Sequence, residues 1–511
     1  MLARVQSCAV LGIDGFAVLV EANVSPGTNK IEVVGLPDAA IKESKERIRA
    51  ALHNSGFRFP RGNSLVNLAP AGMRKEGSAL DLPIAVGLLA ASDQVDGALL
   101  SEYAIVGELA LDGSIRPVAG ALAMALDARA RGLRGIVLPQ ANASEAGVVR
   151  DIETIPVNTL DEAVSFLGGK LPITPHVTDV RAMFASARHH TPDLNEVKGQ
   201  AHVKRALTVA AAGGHNILMV GPPGTGKTML AARLPGILPS MTFEEAIETT
   251  RVYSVAANTG RRGSLVVQRP FRSPHHTSTT VSIAGGGQGQ APYPGEVSLA
   301  HHGVLFLDEL PEFNRAALEV LRQPLEDGQV HIRRANYALT YPSRFMLVVA
   351  MNPCPCGCRT DPRRECRCSP AEVQRYMGRL SGPLLDRIDI HVDVPGLRFE
   401  ELADNQPSGP SSEEVRAQVQ AARDRQHARY QDRATCNAHL ESRKLRQHCV
   451  LNDSAQSILQ IALERLGLSA RAYDKILRVA RTLADLESEE HIAEHHIAEA
   501  VQYRSLDLKG E

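Results

Sequence analysis

Two rhythms of apolar and polar residues run along this chain. In its first third, short apolar runs at residues 17–22, 31–34, 64–68, 104–111 and 135–138 predict strands, and apolar residues three and four apart predict helices over 38–54, 82–91 and 119–131. Asp38 is placed to cap the first helix and Gly56 to stop it. Residues 1–170 therefore read as one α/β unit. The stretch 171–192, with Pro172, Pro175 and Pro192 in a polar mixture, reads as a linker. A second α/β unit follows over 193–400, where apolar runs at 216–220, 304–307, 345–350 and 388–394 each end at a polar residue or loop. Open parallel sheets bind ligands at such strand ends. After a breaker cluster at 404–412, helical spacing returns over 413–430, 453–465, 470–487 and 492–503, so 401–511 reads as a helical unit.

Composition mainly excludes. With 44% hydrophobic and 22% charged residues among 511, disordered, collagenous and coiled-coil classes fall away. Lys plus Arg number 56 against 57 Asp plus Glu, a net charge of −1, so any hold on a polyanion must come from a local basic patch. The stretch 416–446, basic in balance, is a candidate. No apolar run approaches the ~18 residues that cross a bilayer. The stretch 10–20 is broken by Asp14, and the N-terminus matches a signal peptide poorly. A cytoplasmic protein with no membrane partner is expected.

The strongest chemical signal is GPPGTGKT: Gly221, Pro222, Pro223, Gly224, Thr225, Gly226, Lys227 and Thr228, set between an apolar run and a helical stretch. Glycines let backbone N–H groups turn inward around phosphate oxygens, Lys227 adds a positive charge for the β and γ phosphates, and the Thr228 hydroxyl can ligate Mg²⁺. The second is VLFLDE, an apolar strand ending in Asp308 and Glu309. Asp308 would hold Mg²⁺ through water and Glu309 would polarise the attacking water as general base. Asn352, directly after another apolar strand, can bond both the γ-phosphate and that water. ATP and Mg²⁺ are the expected cofactors, and hydrolysis the expected reaction.

In this order, DLNEVKGQ, GPPGTGKT, VLFLDEL, VVAMNPCPCG and LSGPLLDRIDIHVDVP resemble the magnesium-chelatase-like branch of the AAA+ ATPases, specifically the YifB/ComM family, over nearly the whole chain. The resemblance implies a fold of three parts: an N-terminal Lon-protease-like (S5-type) α/β domain, a central AAA+ P-loop α/β domain with hairpin inserts, and a C-terminal helical lid. It implies a homo-oligomer, a hexameric ring, that moves single-stranded or branched DNA in branch migration during natural transformation. It also makes Arg387 the arginine finger that enters a neighbour's nucleotide site, and Arg471, on a helix capped by Ser469, the second sensor. Arg478 and Arg481 on that helix are rivals to Arg471.

Two segments read as inserted hairpins, 277–295 and 329–342, and the second carries Arg333 and Arg334 near its tip. In related ring ATPases such hairpins line the channel, so both arginines are candidate DNA phosphate contacts; a solvated basic turn is the alternative. His275 and His276 read as loop or hairpin-packing residues. Five cysteines crowd between 354 and 368, and two C-x-C pairs, Cys354 with Cys356 and Cys366 with Cys368, suit a tetrahedral Zn²⁺. A metal-free loop and a redox role stay open, and Cys358 obscures which four thiols would bind. In the first domain VGELALDGSIRPVAG resembles Lon, whose serine needs a lysine base. Here Ser78 is shifted against the serine motif and the lysine position falls near Leu122, which predicts a non-proteolytic domain. An ATP-dependent protease and a chelatase-type protein remodeller are the rival readings.

Overall fold

The computed structural model describes residues 1–504 apart from 29, 76, 187–191, 257–264, 288–291, 335–336, 362, 398–400, 402–407, 433–434 and 467–468. The N-terminal third is mixed α/β. Leu2–Leu11 and Asp14–Ser25 form an antiparallel pair, continued by Asn63–Ala69 and then, in parallel, by Ile31–Val34. The helices Ala39–Asn54 and Asp81–Ala91 belong to the core beneath this sheet. Asp38 caps the first of them, accepting from the Ile41 N–H at 2.8 Å. A parallel three-stranded sheet, Tyr103–Ile105, Gly135–Pro139 and Glu153–Val157, completes this part.

Three features depart from the sequence pattern. The strand Leu2–Leu11 has no clean alternation because it is covered on both faces: the neighbours Ser7 and Cys8 point to opposite sides and are both fully buried, with the Ser7 hydroxyl donating to the Ile105 carbonyl at 2.7 Å. The run 104–111 is two strands, broken at Gly107, whose N–H leaves the ladder for the Ala79 carbonyl. The stretch 171–192 contains the helix Val180–Ser186, which lays Val180, Met183 and Phe184 against the adjoining core.

The central part is a five-stranded, wholly parallel sheet in the order Phe271–Arg272, Val304–Leu307, Met346–Met351, Ile217–Val220, Ile390–Asp393. Val304–Leu307, Met346–Met351 and Ile217–Val220 are buried at every position, as expected of strands covered on both faces. Register matters most here: Val220 pairs with both Met351 and Asp393, and Leu307 with Val349. The residues that follow Val220, Leu307 and Met351 therefore leave the sheet along one edge.

The C-terminal helices Ser412–Tyr430, Asp453–Leu466, Ala470–Leu486 and Glu494–Gln502 share one core with Ala201–Gly213. Among them Asp485, fully buried, accepts from Arg429 and Arg481 and from the Asn437 amide. Of the basic stretch 416–446, Arg416, Arg423, Arg425 and Arg429 donate to Gly236, Ala211, Asp485 carbonyls and the Asp485 carboxylate. Those four cations fasten the lid, while Arg443, Lys444 and Arg446 of the same stretch are exposed. No helix among the described residues is long and apolar enough to cross a membrane.

Candidate functional site

The strand Ile217–Val220 ends in the P-loop, and the helix Lys227–Ile237 begins there with its amino end facing the loop. Gly224 and Gly226 hold φ of 77° and 86°, and a Cβ at either would meet nothing within 4 Å, so the loop is open on its outer side. Free N–H groups at a helix start, with glycine backbone around them, form an anion cradle. Gln200, itself at φ 52°, braces the loop from behind: its amide donates to the Thr225 carbonyl at 2.9 Å and the Pro395 carbonyl at 3.2 Å. In the sequence Gln200 stands out only as the last residue of DLNEVKGQ, and neither its left-handed backbone nor its bracing role is legible there.

Lys227 is buried, and its ammonium donates to the Gly221 and Pro222 carbonyls at 2.7 and 2.8 Å and to Asn352 Oδ1 at 3.3 Å. Burial pushes its pKa down, while the carboxylates of Asp308 and Glu309 push it back up. The Thr228 hydroxyl donates to Asp308 Oδ2 at 2.7 Å. A hydroxyl and a carboxylate this close are a hard oxygen pair, the donor chemistry that Mg²⁺ selects. Glu309 follows, exposed, at φ 52°, its N–H bonded back to Asp308 Oδ1 at 2.9 Å. Its carboxylate lies 3.3 Å from His276 Nδ1, and the His276 ring stands edge-on to Phe313. His276, in the loop expected of it, thus faces the candidate general base, a contact the sequence does not show.

Arg387 and Arg471 are not part of this cluster. The Arg387 carbonyl accepts from the Asn216 amide at 2.8 Å, and Asn216 precedes the very strand whose far end is the P-loop. Four strand residues at about 3.3 Å each put about 13 Å between the two sheet edges. The Arg387 guanidinium is engaged by the Pro383 carbonyl and the Glu326 carboxylate. Arg471 donates to Asp386 at 2.6 Å and is 74% exposed. Its rivals are occupied: Arg478 bonds the Leu440 carbonyl, and Arg481 is buried against Asp485 and the Glu489 and Glu490 carbonyls. Ser469 does cap the helix, accepting from the Ala472 N–H.

The segment 329–342 is an antiparallel hairpin, Gln329–Arg334 with Tyr337–Pro342. Arg333 is exposed on it; the Arg334 side chain and the tip lie outside the described residues. The segment 277–295 is a short helix, Thr280–Ala284, followed by a two-residue ladder of Gly285–Gly286 with Tyr293–Pro294, rather than a plain hairpin with a glycine turn. The thiols of Cys354, Cys356, Cys366 and Cys368 converge within 4.8 Å of one another, and Cys358 is turned aside. In the N-terminal part the Ser78 hydroxyl donates to Glu108, Lys75 is buried against the Gly35 and Pro70 carbonyls, and Leu122 is buried in the core.

Three family models match: "Magnesium chelatase, subunit ChlI" over residues 193–402, "Subunit ChlI of Mg-chelatase" over 20–142, and "Magnesium chelatase, subunit ChlI C-terminal" over 409–504. The chain is 46% identical to Competence protein ComM of Haemophilus influenzae, with 99% of this chain and 98% of that one covered. It is 44% identical to the protein YifB of Salmonella typhimurium, covering 99% and 97%. A 26% identity to Lon protease homolog 2, peroxisomal, of Caenorhabditis elegans covers 32% of this chain and 22% of that one. With a P-loop, an acidic strand end and a polar strand end on one sheet edge, and near-complete coverage by such relatives, the chain belongs to the YifB/ComM family of magnesium-chelatase-like AAA+ ATPases.

Proposed function

We propose that this protein is an ATP-hydrolysing ring motor that moves single-stranded or branched DNA, and that it drives branch migration of incoming DNA during natural transformation. The observation that carries the reading is the division of the site between two sheet edges. Lys227, Thr228, Asp308, Glu309 and Asn352 gather at one edge, and Arg387 with Arg471 sits at the other. A triphosphate on the P-loop is out of reach of its own chain's Arg387, so a complete site needs a second copy; repetition of that contact closes a ring, here a hexamer.

In the proposed cycle the P-loop N–H groups and Lys227 bind the β and γ phosphates, and Thr228, directly, with Asp308, through water, would hold Mg²⁺. Bound there, the ion would neutralise charge on the phosphate oxygens. Glu309 takes the proton of the attacking water, Asn352 orients that water, and the neighbour's Arg387 spreads its donors over the developing charge. Arg471, tied to Asp386, arrives at the same pocket from the same neighbour. Arg333 and Arg334 contact DNA phosphates without reading sequence. The name of the ComM relative, a competence protein, supports incoming DNA as the substrate.

The test is a three-stranded branch-migration assay with the purified full chain, beside ATPase measured with single-stranded and branched DNA over a range of salt. Strand movement that needs ATP, and turnover that rises with DNA and falls with salt, are expected. Turnover indifferent to DNA and no strand movement would contradict the DNA motor.

A further inference from the structure

The cysteine loop contains a geometry that the nucleotide site does not explain. Cys354 Sγ lies 3.4 Å from Cys356 Sγ and 3.7 Å from Cys366 Sγ, and Cys356 Sγ lies 3.7 Å from Cys366 Sγ. With Cys368 included, all four sulfurs fall within 4.8 Å of one another. A disulfide brings two sulfurs to about 2.05 Å and leaves other pairs apart. Four thiolates about 2.3 Å from a central Zn²⁺ stand about 3.8 Å from each other, close to the spacing found here. The fifth thiol is excluded, because Cys358 points its Sγ at the Cys356 carbonyl, 3.4 Å away. Arg359, Arg363, Arg364 and Arg367 are exposed on the same loop, cations that offset the two negative charges of a tetrathiolate zinc.

The loop is also seated on the nucleotide site. Gly357, between the two arms at φ 78°, lies so near Pro223 that a Cβ there would be 2.6 Å from the proline Cδ. Cys354, fully buried, is two residues beyond Asn352.

We propose that Cys354, Cys356, Cys366 and Cys368 bind one Zn²⁺, and that the closed loop presses on Pro223 and fixes Asn352, so that the metal sets the shape of the triphosphate pocket. Binding releases the thiol protons to solvent and changes no oxidation state. The first clause stands alone; the second rests on the ATPase reading above.

The experiment measures zinc by mass spectrometry in the full chain purified under reducing conditions with zinc supplied. It also records the visible spectrum after cobalt replaces zinc, and the affinity for a fluorescent ATP analogue. One zinc per chain, tetrahedral cobalt–thiolate bands, loss of metal in Cys366→Ser and retention in Cys358→Ser are expected. Cys368→His, which keeps a ligand, retains zinc and guards against simple misfolding. Zinc-free wild type, or loss of zinc in Cys358→Ser, overturns the site. Metal-free protein that binds the analogue as tightly as before overturns the coupling. Lys227→Ala should keep zinc while losing the analogue, so failure of the metal and failure of the nucleotide reading are distinguishable.

Discussion

Arg471 donates to Asp386 at 2.6 Å, one residue before Arg387, so two cations from different parts of the chain share one surface. Both lie at the sheet edge opposite the P-loop. Arg387→Ala should leave ATP affinity nearly unchanged and lower kcat by about 10³-fold, the low end for a lost arginine finger. Arg471→Ala should lower kcat less. Steady-state kinetics beside nucleotide titration separate binding from turnover.

At the other edge, Glu309→Gln keeps every P-loop contact and removes the proton acceptor. ATP should bind and remain uncleaved, with turnover down about 10²–10⁴-fold. Lys227→Ala should instead abolish binding. Single-turnover hydrolysis and analogue binding, measured side by side, tell these outcomes apart.

His276 lies 3.3 Å from the Glu309 carboxylate and immediately precedes the inserted segment 277–295. It therefore connects the proposed general base to an inserted segment of the kind that lines the channel in related ring ATPases. His276→Ala should leave KM for ATP near its original value, raise basal turnover by freeing Glu309, and bring the ratio of DNA-stimulated to basal rate toward unity. A rate ratio unchanged by the substitution would remove His276 from the coupling.

Arg333 is exposed on the hairpin Gln329–Arg334 with Tyr337–Pro342. Arg333→Ala should weaken binding equally for all DNA sequences and reduce the slope of log affinity against log salt by about 1. Fluorescence anisotropy across a salt series measures both.

Much of the nucleotide edge was legible in the sequence because phosphate chemistry demands fixed residue types at fixed strand ends, and three apolar strands delivered Lys227, Asp308 and Asn352 to one place. The locations of Arg387 and Arg471 were not legible, since they depend on sheet register and on a lid helix docked from 85 residues away. Nor was the exclusion of Cys358, which a side-chain rotation decides. The His276 contact with Glu309 was not legible, because a loop histidine has no periodicity to say what it faces. The strand Leu2–Leu11 was not legible because both of its faces are buried, Ser7 on one and Cys8 on the other, which erases the alternation that marks a half-buried strand.

The lid offers a stability test independent of function. Asp485 is fully buried between Arg429 and Arg481, and Asp485→Ala would leave both guanidinium groups uncompensated. Breaking a buried pair from one side costs about 3–5 kcal/mol, and chemical denaturation should register a loss of that order. Asp485→Asn, which keeps one acceptor, should lose less.

The central claim is that one chain's P-loop is completed by another chain's Arg387, and mixing two inactive proteins tests it most directly. Lys227→Ala has a broken pocket and an intact finger; Arg387→Ala has the reverse. Mixed and allowed to exchange subunits, they should form interfaces in which an intact pocket meets an intact finger, and ATPase activity should reappear in proportion to such contacts. If every mixture stays as inactive as its components although subunit exchange is demonstrated, the shared site is contradicted.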